Sequence, residues 1–225
     1  MSQDSYKIGV IGGTGPQGRG LAYRMVKAGR DVVIGSRSPE RAEEVATSIR
    51  DRISGSAQVV GAGNLDAAAR ADVVVLAVPY DGQAALVTDL APVLAGKVII
   101  SCVNPLGFDG RGPFALTVPD GSAAEEVQRI VADARVVGAF HHLSAAKLWS
   151  EAELLDEEDV LVCGEDAEAK ALVLDLAGSV TGRRGIDAGR LLWARQLEPL
   201  TGVLISINKQ YKVRSGLSLT GLTHR

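Results

Sequence analysis

The stretch Lys7-Ile8-Gly9-Val10-Ile11-Gly12-Gly13-Thr14-Gly15-Pro16-Gln17-Gly18, read with Asp31-Val32-Val33-Ile34-Gly35-Ser36-Arg37, decides the fold. Ile8, Val10 and Ile11 form a short, β-branched apolar run of the kind that fills a buried strand. Gly13, Gly15 and Gly18 follow at the spacing G-x-G-x-x-G. Leu21, Ala22, Met25 and Val26 then share one stripe of a helix, and Gly29 stands where that helix should stop. A second strand starts at Asp31. Strand, glycine turn, helix and strand in this order form the βαβ context in which a glycine triplet binds a dinucleotide. One glycine permits the tight turn, one lets backbone approach a pyrophosphate, and one lets helix and strand pack closely. The N–H groups at the helix start face the phosphates, reinforced by the helix dipole.

The end of the second strand selects the dinucleotide. An NAD site carries Asp or Glu there for the ribose 2′-hydroxyl. This chain has Ser36 and Arg37, with Arg41 on the next helix. A hydroxyl and two guanidinium groups suit a 2′-phosphate, because Arg grips phosphate with a charged fork. The expected cofactor is therefore NADP.

Alternating strands and helices continue along the chain, which predicts an α/β, Rossmann-type doubly wound, mainly parallel sheet. Ser38 and Pro39 start a helix running to about Ile53, and Val59–Ala62 is a short strand before a short helix at 64–69. Asp72–Pro79 reads as a central strand, apolar on both faces, with Val78, Pro79 and Tyr80 at its carboxyl end, where such folds bind ligands. Gln83–Leu94 is the next crossover helix, with Ala84 on its first turn, and Lys97–Cys102 the next strand. Asn104 and Leu106, just past it, provide a second wall for the nicotinamide half. Gly107–Gly121 reads as irregular, and Ser122 with Glu125 as a capping box for a helix to about Ala132. Arg135–His141 is expected as a strand, placing His141 near the nicotinamide. His141 and His142 would point to opposite faces of it and cannot easily bind one ion, so no metal site is assigned and His141 reads as a hydrogen-bonding or shape element. Glu151–Asp159 reads as a solvated acidic stretch, Val160–Cys163 as a strand, and 168–178 and 191–211 as helices. Gly216–Leu222 alternates like a short strand that folds back over the cleft. Residues 1–143 form the expected NADP-binding domain and 144–225 a smaller C-terminal lobe closing the cleft.

Composition places the chain among ordinary globular proteins: 46% of its 225 residues are hydrophobic and 23% charged. A net charge of −3 gives no general pull toward nucleic acid. Cys102 and Cys163 lack metal-binding spacing and fit small apolar packing in a reducing compartment. The N-terminus lacks a basic segment leading into an apolar one, and there is no apolar run of roughly eighteen residues, so the expectation is a cytoplasmic protein without a membrane partner. From Arg183 onward eight basic residues stand against two acidic ones, a basic rim suited to an acidic ligand.

The motifs Gly12-Gly13-Thr14-Gly15-Pro16-Gln17-Gly18, Gly35-Ser36-Arg37 with Arg41, Val78-Pro79-Tyr80, His141 followed by Ala145-Ala146, Val162-Cys163-Gly164 and the closing Gly216-x-x-x-Thr220-Gly221-Leu222 together resemble the NADPH-dependent coenzyme F-420 reductases, almost end to end. The resemblance implies hydride transfer between NADP and the 8-hydroxy-5-deazaflavin coenzyme F-420. It implies that Thr14, Gly15, Pro16 and Gln17 hold the pyrophosphate, and that Ser36, Arg37 and Arg41 hold the 2′-phosphate. Tyr80, Ala84, Leu106 and Ala145 would line the nicotinamide and ribose region, and Ser215 with Gly216 would touch the deazaflavin. Tyr80 and Ser144 depart from the family, which often has Trp and Pro at those places. A homodimer handling small-molecule redox coenzymes is the implied assembly. Hydride transfer between stacked rings needs orientation and water exclusion, not a general acid. Two alternatives stay open on the residues alone: an NADPH-dependent reductase of a flavin, imine or carbonyl, and a non-enzymatic NADPH sensor.

Overall fold

The structure is a computed structural model that describes residues 6–151 and 155–222. The glycine turn joins strand β1 (Ile8–Ile11) to helix α1 (Pro16–Lys27), and β2 (Val32–Ser36) follows. Then come α2 (Pro39–Arg50), β3 (Val59–Gly63), α3 (Asn64–Arg70), β4 (Val73–Leu76), α4 (Gln83–Leu94) and β5 (Val98–Ser101). A hairpin of β6 (Leu106–Asp109) and β7 (Gly112–Ala115) leads to α5 (Ala123–Ile130), β8 (Arg135–Gly138) and the short α6 (Ala145–Leu148). The chain ends through β9 (Leu161–Gly164), α7 (Ala167–Thr181), β10 (Ile186–Gly189), a 3₁₀ turn at Leu191–Trp193 and α8 (Ala194–Tyr211).

One eight-stranded sheet has the order β10-β9-β8-β5-β4-β1-β2-β3. Its pairs are parallel except β8 with β9. Strand order reverses between β1 and β4, where Ile11 pairs with Leu76. The doubly wound expectation therefore holds, with its ligand crevice at the carboxyl ends of β1 and β4.

The two faces are covered by different helices. Val10, Val75, Ile100 and Val137 pack with Leu21 and Met25 of α1, Ile49 of α2 and Val173 of α7. The alternate residues Ile11, Val74, Leu76, Ile99 and Val136 pack with Ala67 of α3, Leu90 of α4 and Val127 of α5. Strand residues point alternately up and down, so near-continuous apolar strands are what two covered faces require.

Helix starts follow the capping signals. Ser38 Oγ accepts the Arg41 N–H at 3.3 Å, and Ser122 Oγ accepts the Glu125 N–H at 3.1 Å and donates to its carboxylate at 2.8 Å. After residue 144, β9 and β10 extend the sheet beyond β8, and α8 packs on β7 and α5.

Five expectations change. The 107–121 stretch is not irregular throughout, because Leu106–Asp109 and Gly112–Ala115 pair as an antiparallel hairpin, turned by Asp109 Oδ1 accepting the N–H groups of Arg111 and Gly112. The strand expected to reach Pro79 stops at Leu76, and that expected to reach His141 stops at Gly138, before Phe140 turns left-handed with φ 63°. Residues Gly216–Leu222 form no strand. The acidic stretch is not solvated at its end: Glu158 and Asp159 are each 2% exposed, although residues 152–154 of that reading lie outside the described residues.

Among the glycines, the closest approach lies at Gly61 of β3, where a Cβ would stand 2.1 Å from the Glu43 nitrogen of α2. Backbone cannot yield as a flexible side-chain tip can. Gly61→Ala should therefore cost about 1–3 kcal/mol in urea unfolding, while Gly55→Ala, with nothing within 4 Å of its new methyl, should fall within about 0.5 kcal/mol of wild type.

Candidate dinucleotide and redox site

The glycine turn sets the site. Gly12 has φ +76°, and a Cβ on it would meet the Ala77 carbonyl at 2.6 Å. A Cβ on Gly18 would meet the Gly12 carbonyl at 2.7 Å and Gly13 Cα at 2.8 Å. These are the tight turn and the close helix packing that the glycine spacing demands. Gly13 N–H donates to Gly35 and Gly15 N–H to Gly12, each at 3.0 Å. Pro16 has no N–H. Within the turn, the N–H groups of Thr14, Gln17 and Gly18 are among those without an intramolecular acceptor. Gly15 caps α1 without a side chain, and the first turn carries no acidic residue, so the positive helix end stays open for an anion.

A cavity of about 350 Å³ opens over this turn, at the switch between β1 and β4. Of the sequence-derived residues, Thr14, Gly15, Ser36, Arg37, Val78 and Pro79 line it. The Thr14 and Ser36 hydroxyls stand 3.5 Å apart, which joins the two motifs into one wall. Arg41 sits exposed on the first turn of α2 and is not part of that wall. Reading the sequence missed Gly12, Asn64, Ala77, Asp81, Gly82 and Leu86, which complete the lining. Asn64 could have been found from register: Gly63 pairs with Ser36 on parallel strands, so the next residue emerges at the same edge. The turn, the cavity and the Ser36–Arg37 pair suit a phosphorylated dinucleotide by the chemistry of their donors.

A second group of residues gathers beyond β5 and β8. The His141 carbonyl accepts from Asn104 Nδ2 and from Thr201 Oγ1 of α8, both at 2.8 Å. Gln17 Nε2 donates to the Phe140 carbonyl at 3.2 Å, so its side chain braces this loop. Leu106 packs beneath Gly202 of α8. Thr201 carried no signal in the sequence, since a threonine inside an amphipathic helix has no distinctive spacing. The His141 ring is 3% exposed, and burial, with His142 adjacent, depresses its pKa to about 3. His142 turns instead to the Asp159 carbonyl, with Nε2 at 2.6 Å.

Tyr80 and Ala84 occupy the loop and first turn after β4. The Tyr80 hydroxyl donates to Glu126 at 3.4 Å, and Gln83 donates to the other Glu126 oxygen at 2.8 Å. Burial first, then the Glu126 charge, raises the Tyr80 phenol above its ordinary value. Glu198 of α8 is 1% exposed and accepts the Ala123 and Ala124 N–H groups at 2.9 and 3.0 Å, which locks α8 to the start of α5. Burial raises its carboxyl to about 7 despite those two donors.

Ala145 opens α6, whose Leu148 lies directly over Gly20 of α1. Lys147 pairs with Glu158 at 2.7 Å, and Gly216 packs on the Glu158 side chain. Ser215 donates through its N–H and hydroxyl to Asn208, at 2.6 and 2.7 Å. Asp159 holds the segment that follows: its N–H donates to Leu217 at 2.8 Å and its carboxylate accepts from Leu219 at 2.7 Å. The basic rim shrinks on inspection. Arg183, Arg184, Arg190 and Arg195 pair with Asp159, Asp175, Glu165 and Glu125, which leaves Lys209, Lys212 and Arg214 exposed, while Arg225 lies outside the described residues. Cys102 and Cys163 are buried free thiols, each pushed up to about 12 by burial. Among the described residues no helix is long and apolar enough to cross a membrane.

Residues 7–105 match the family model described as NADP oxidoreductase, coenzyme F-420-dependent. The F-420-dependent NADP reductase of Methanocaldococcus jannaschii is 40% identical, covering 96% of this chain and 99% of its own. That of Methanothermobacter thermautotrophicus is 39% identical over 96% and 95%. A crystal structure titled as a putative F-420-dependent NADP reductase from Arthrobacter sp. FB24 superposes with a TM-score of 0.80 at 29% identity, covering 95% of this chain and all of that one.

Because the folded pKa of His141 lies below the 6.5 of a free ring, the unfolded chain takes up the proton first. This ring therefore withdraws stability as pH falls through 6.5 and gives no proton to a reaction near neutrality. In an NMR titration its Cε1–H shift should stay flat from pH 8 to 5; an inflection near 6.5 would contradict the buried neutral assignment.

Proposed function

The chain belongs to the F-420-dependent NADP reductase family, and from that premise we propose the reaction and the residue roles that follow. It is an oxidoreductase that transfers a hydride between NADP(H) and coenzyme F-420. The observation that carries the reading is the cavity uniting the Gly12–Gly15 turn with Ser36 and Arg37 at the strand-order switch. The Thr14, Gln17 and Gly18 N–H groups receive the pyrophosphate. Ser36 and Arg37 receive the 2′-phosphate, with Arg41 at the rim. Pro79 and Val78 wall the cofactor. Tyr80, Ala84, Asn104, Leu106, His141 and Ala145 shape the nicotinamide side, and Ser215 with Gly216 borders the deazaflavin. The two coenzymes supply the redox chemistry, while the protein orients the rings and excludes water.

Hydride transfer needs no proton donor, and two candidate donors are poorly placed to act as one. A carbonyl reductase needs one in the cleft, yet His141 is neutral and buried and the Tyr80 hydroxyl is committed to Glu126. The protein works in the cytoplasm as a homodimer. An exposed row of Val203, Ile207 and Tyr211 at helical spacing on α8, which packs on β7 of the hairpin, supports pairing with a second copy. Sedimentation should show a dimer that Ile207→Glu shifts toward monomer; a monomeric wild type overturns the assembly.

Mixing the protein with NADPH and oxidised F-420 should bleach the deazaflavin absorbance, whereas NADH, or FMN in place of F-420, should do so at least tenfold more slowly. NADPH binding without turnover of F-420 would discard the deazaflavin and retain the cofactor. In the same assay, changing Lys209, Lys212 and Arg214 together to Ala should raise the KM for F-420 a few-fold and flatten its salt dependence, if the exposed cations steer an acidic coenzyme.

A further inference from the structure

Asn64 stands at the cofactor cavity with its two amide atoms in different surroundings. It is the first residue of α3, immediately after Gly63, which pairs with Ser36 across parallel strands. It therefore leaves the carboxyl edge of the sheet beside Ser36 and Arg37, and all three line the same cavity. Gly35 makes room for it: a Cβ there would come within 3.0 Å of Asn64 Oδ1. Oδ1 is shielded from solvent and has no hydrogen-bond donor. Nδ2 is not shielded in that way and makes no hydrogen bond, so the donor side of the amide is free in a residue that lines the cavity.

We propose that Asn64 is a specificity-determining residue for the 2′-phosphate, donating through Nδ2 as a third partner beside Ser36 and Arg37. The inference rests on the NADP reading above. A hydroxyl, a guanidinium and an amide N–H₂ at one edge offer donors to several phosphate oxygens at once, whereas an unphosphorylated ribose presents one hydroxyl to them. A site built from donors rejects the analogue that leaves them unpaired. The amide matters as much as its position: Asp fills the same volume but brings a charge that repels a phosphate dianion and suits a ribose hydroxyl.

The test measures binding of NADPH and NADH by the fluorescence of the bound nicotinamide, without F-420, for wild type, Asn64→Asp, Asn64→Ala and Arg37→Ala. Asn64→Asp should weaken NADPH at least tenfold and leave NADH unchanged or tighter. Asn64→Ala should weaken NADPH three- to tenfold with NADH within twofold. Raising the salt should shrink the Asn64→Asp effect. If Arg37→Ala loses NADPH selectively but both Asn64 variants keep the wild-type ratio of the two affinities, the role of Asn64 is overturned and the NADP reading stands. A wild type that binds both nucleotides equally overturns both. Equal loss of both nucleotides in Asn64→Ala would reduce Asn64 to a structural residue and overturn the inference.

Discussion

The close approach of backbone to backbone at the first turn is the constraint on which the site depends. Gly12 lies against the Ala77 carbonyl, and Gly18 lies against Gly12 and Gly13, at separations no side chain survives. This places the start of α1 directly over the carboxyl ends of β1 and β4. Only there can a run of N–H groups and an uncapped helix end meet a phosphate without an intervening side chain. A Cβ at Gly12 or Gly18 would lift the helix and open the wall shared by Thr14 and Ser36.

Around that fixed turn, the proposed nicotinamide side is assembled from segments far apart in sequence. Gln17 of α1, Asn104 beyond β5 and Thr201 of α8 all hold the Phe140–His141 carbonyls. Each is one hydrogen bond, modest alone. Together they tie α1, β5, β8 and α8 to one loop, in which Phe140 takes a left-handed backbone. Glu198 performs the matching task on the other face, anchoring α8 to the start of α5 with two backbone N–H groups. The cost of that anchor is a buried carboxyl whose pKa rises to about 7.

Asp159 shows why such a wall is hard to read from sequence. In Glu151–Asp159 a string of acids has the signature of a solvated loop, and acids are seldom fully buried unless paired. Here Glu158 finds Lys147, and Asp159 finds Arg183 together with the backbone of the C-terminal segment. None of these partners is near in sequence. The same holds for Arg183, Arg184, Arg190 and Arg195, which look like a basic rim until their carboxylates are located. Charge counts along a chain record neither pairing nor burial, and these two properties decide what a charge does.

What the sequence by itself determined is local. The G-x-G-x-x-G spacing, the apolar strands and the capping serines define the doubly wound fold, because each acts through neighbours a few residues away. The Ser36–Arg37 pair likewise announces its chemistry at a known place, the end of the second strand. The tertiary structure alone decided which distant residues meet: Asn64 beside Ser36 through strand register, Thr201 on His141 through the return of α8, and Leu217 and Leu219 on Asp159 through the docking of the last segment. The physical reason is that spacing encodes contacts within a helix or a turn, whereas contacts across the sheet depend on register, strand order and burial, which exist only once the whole chain has packed.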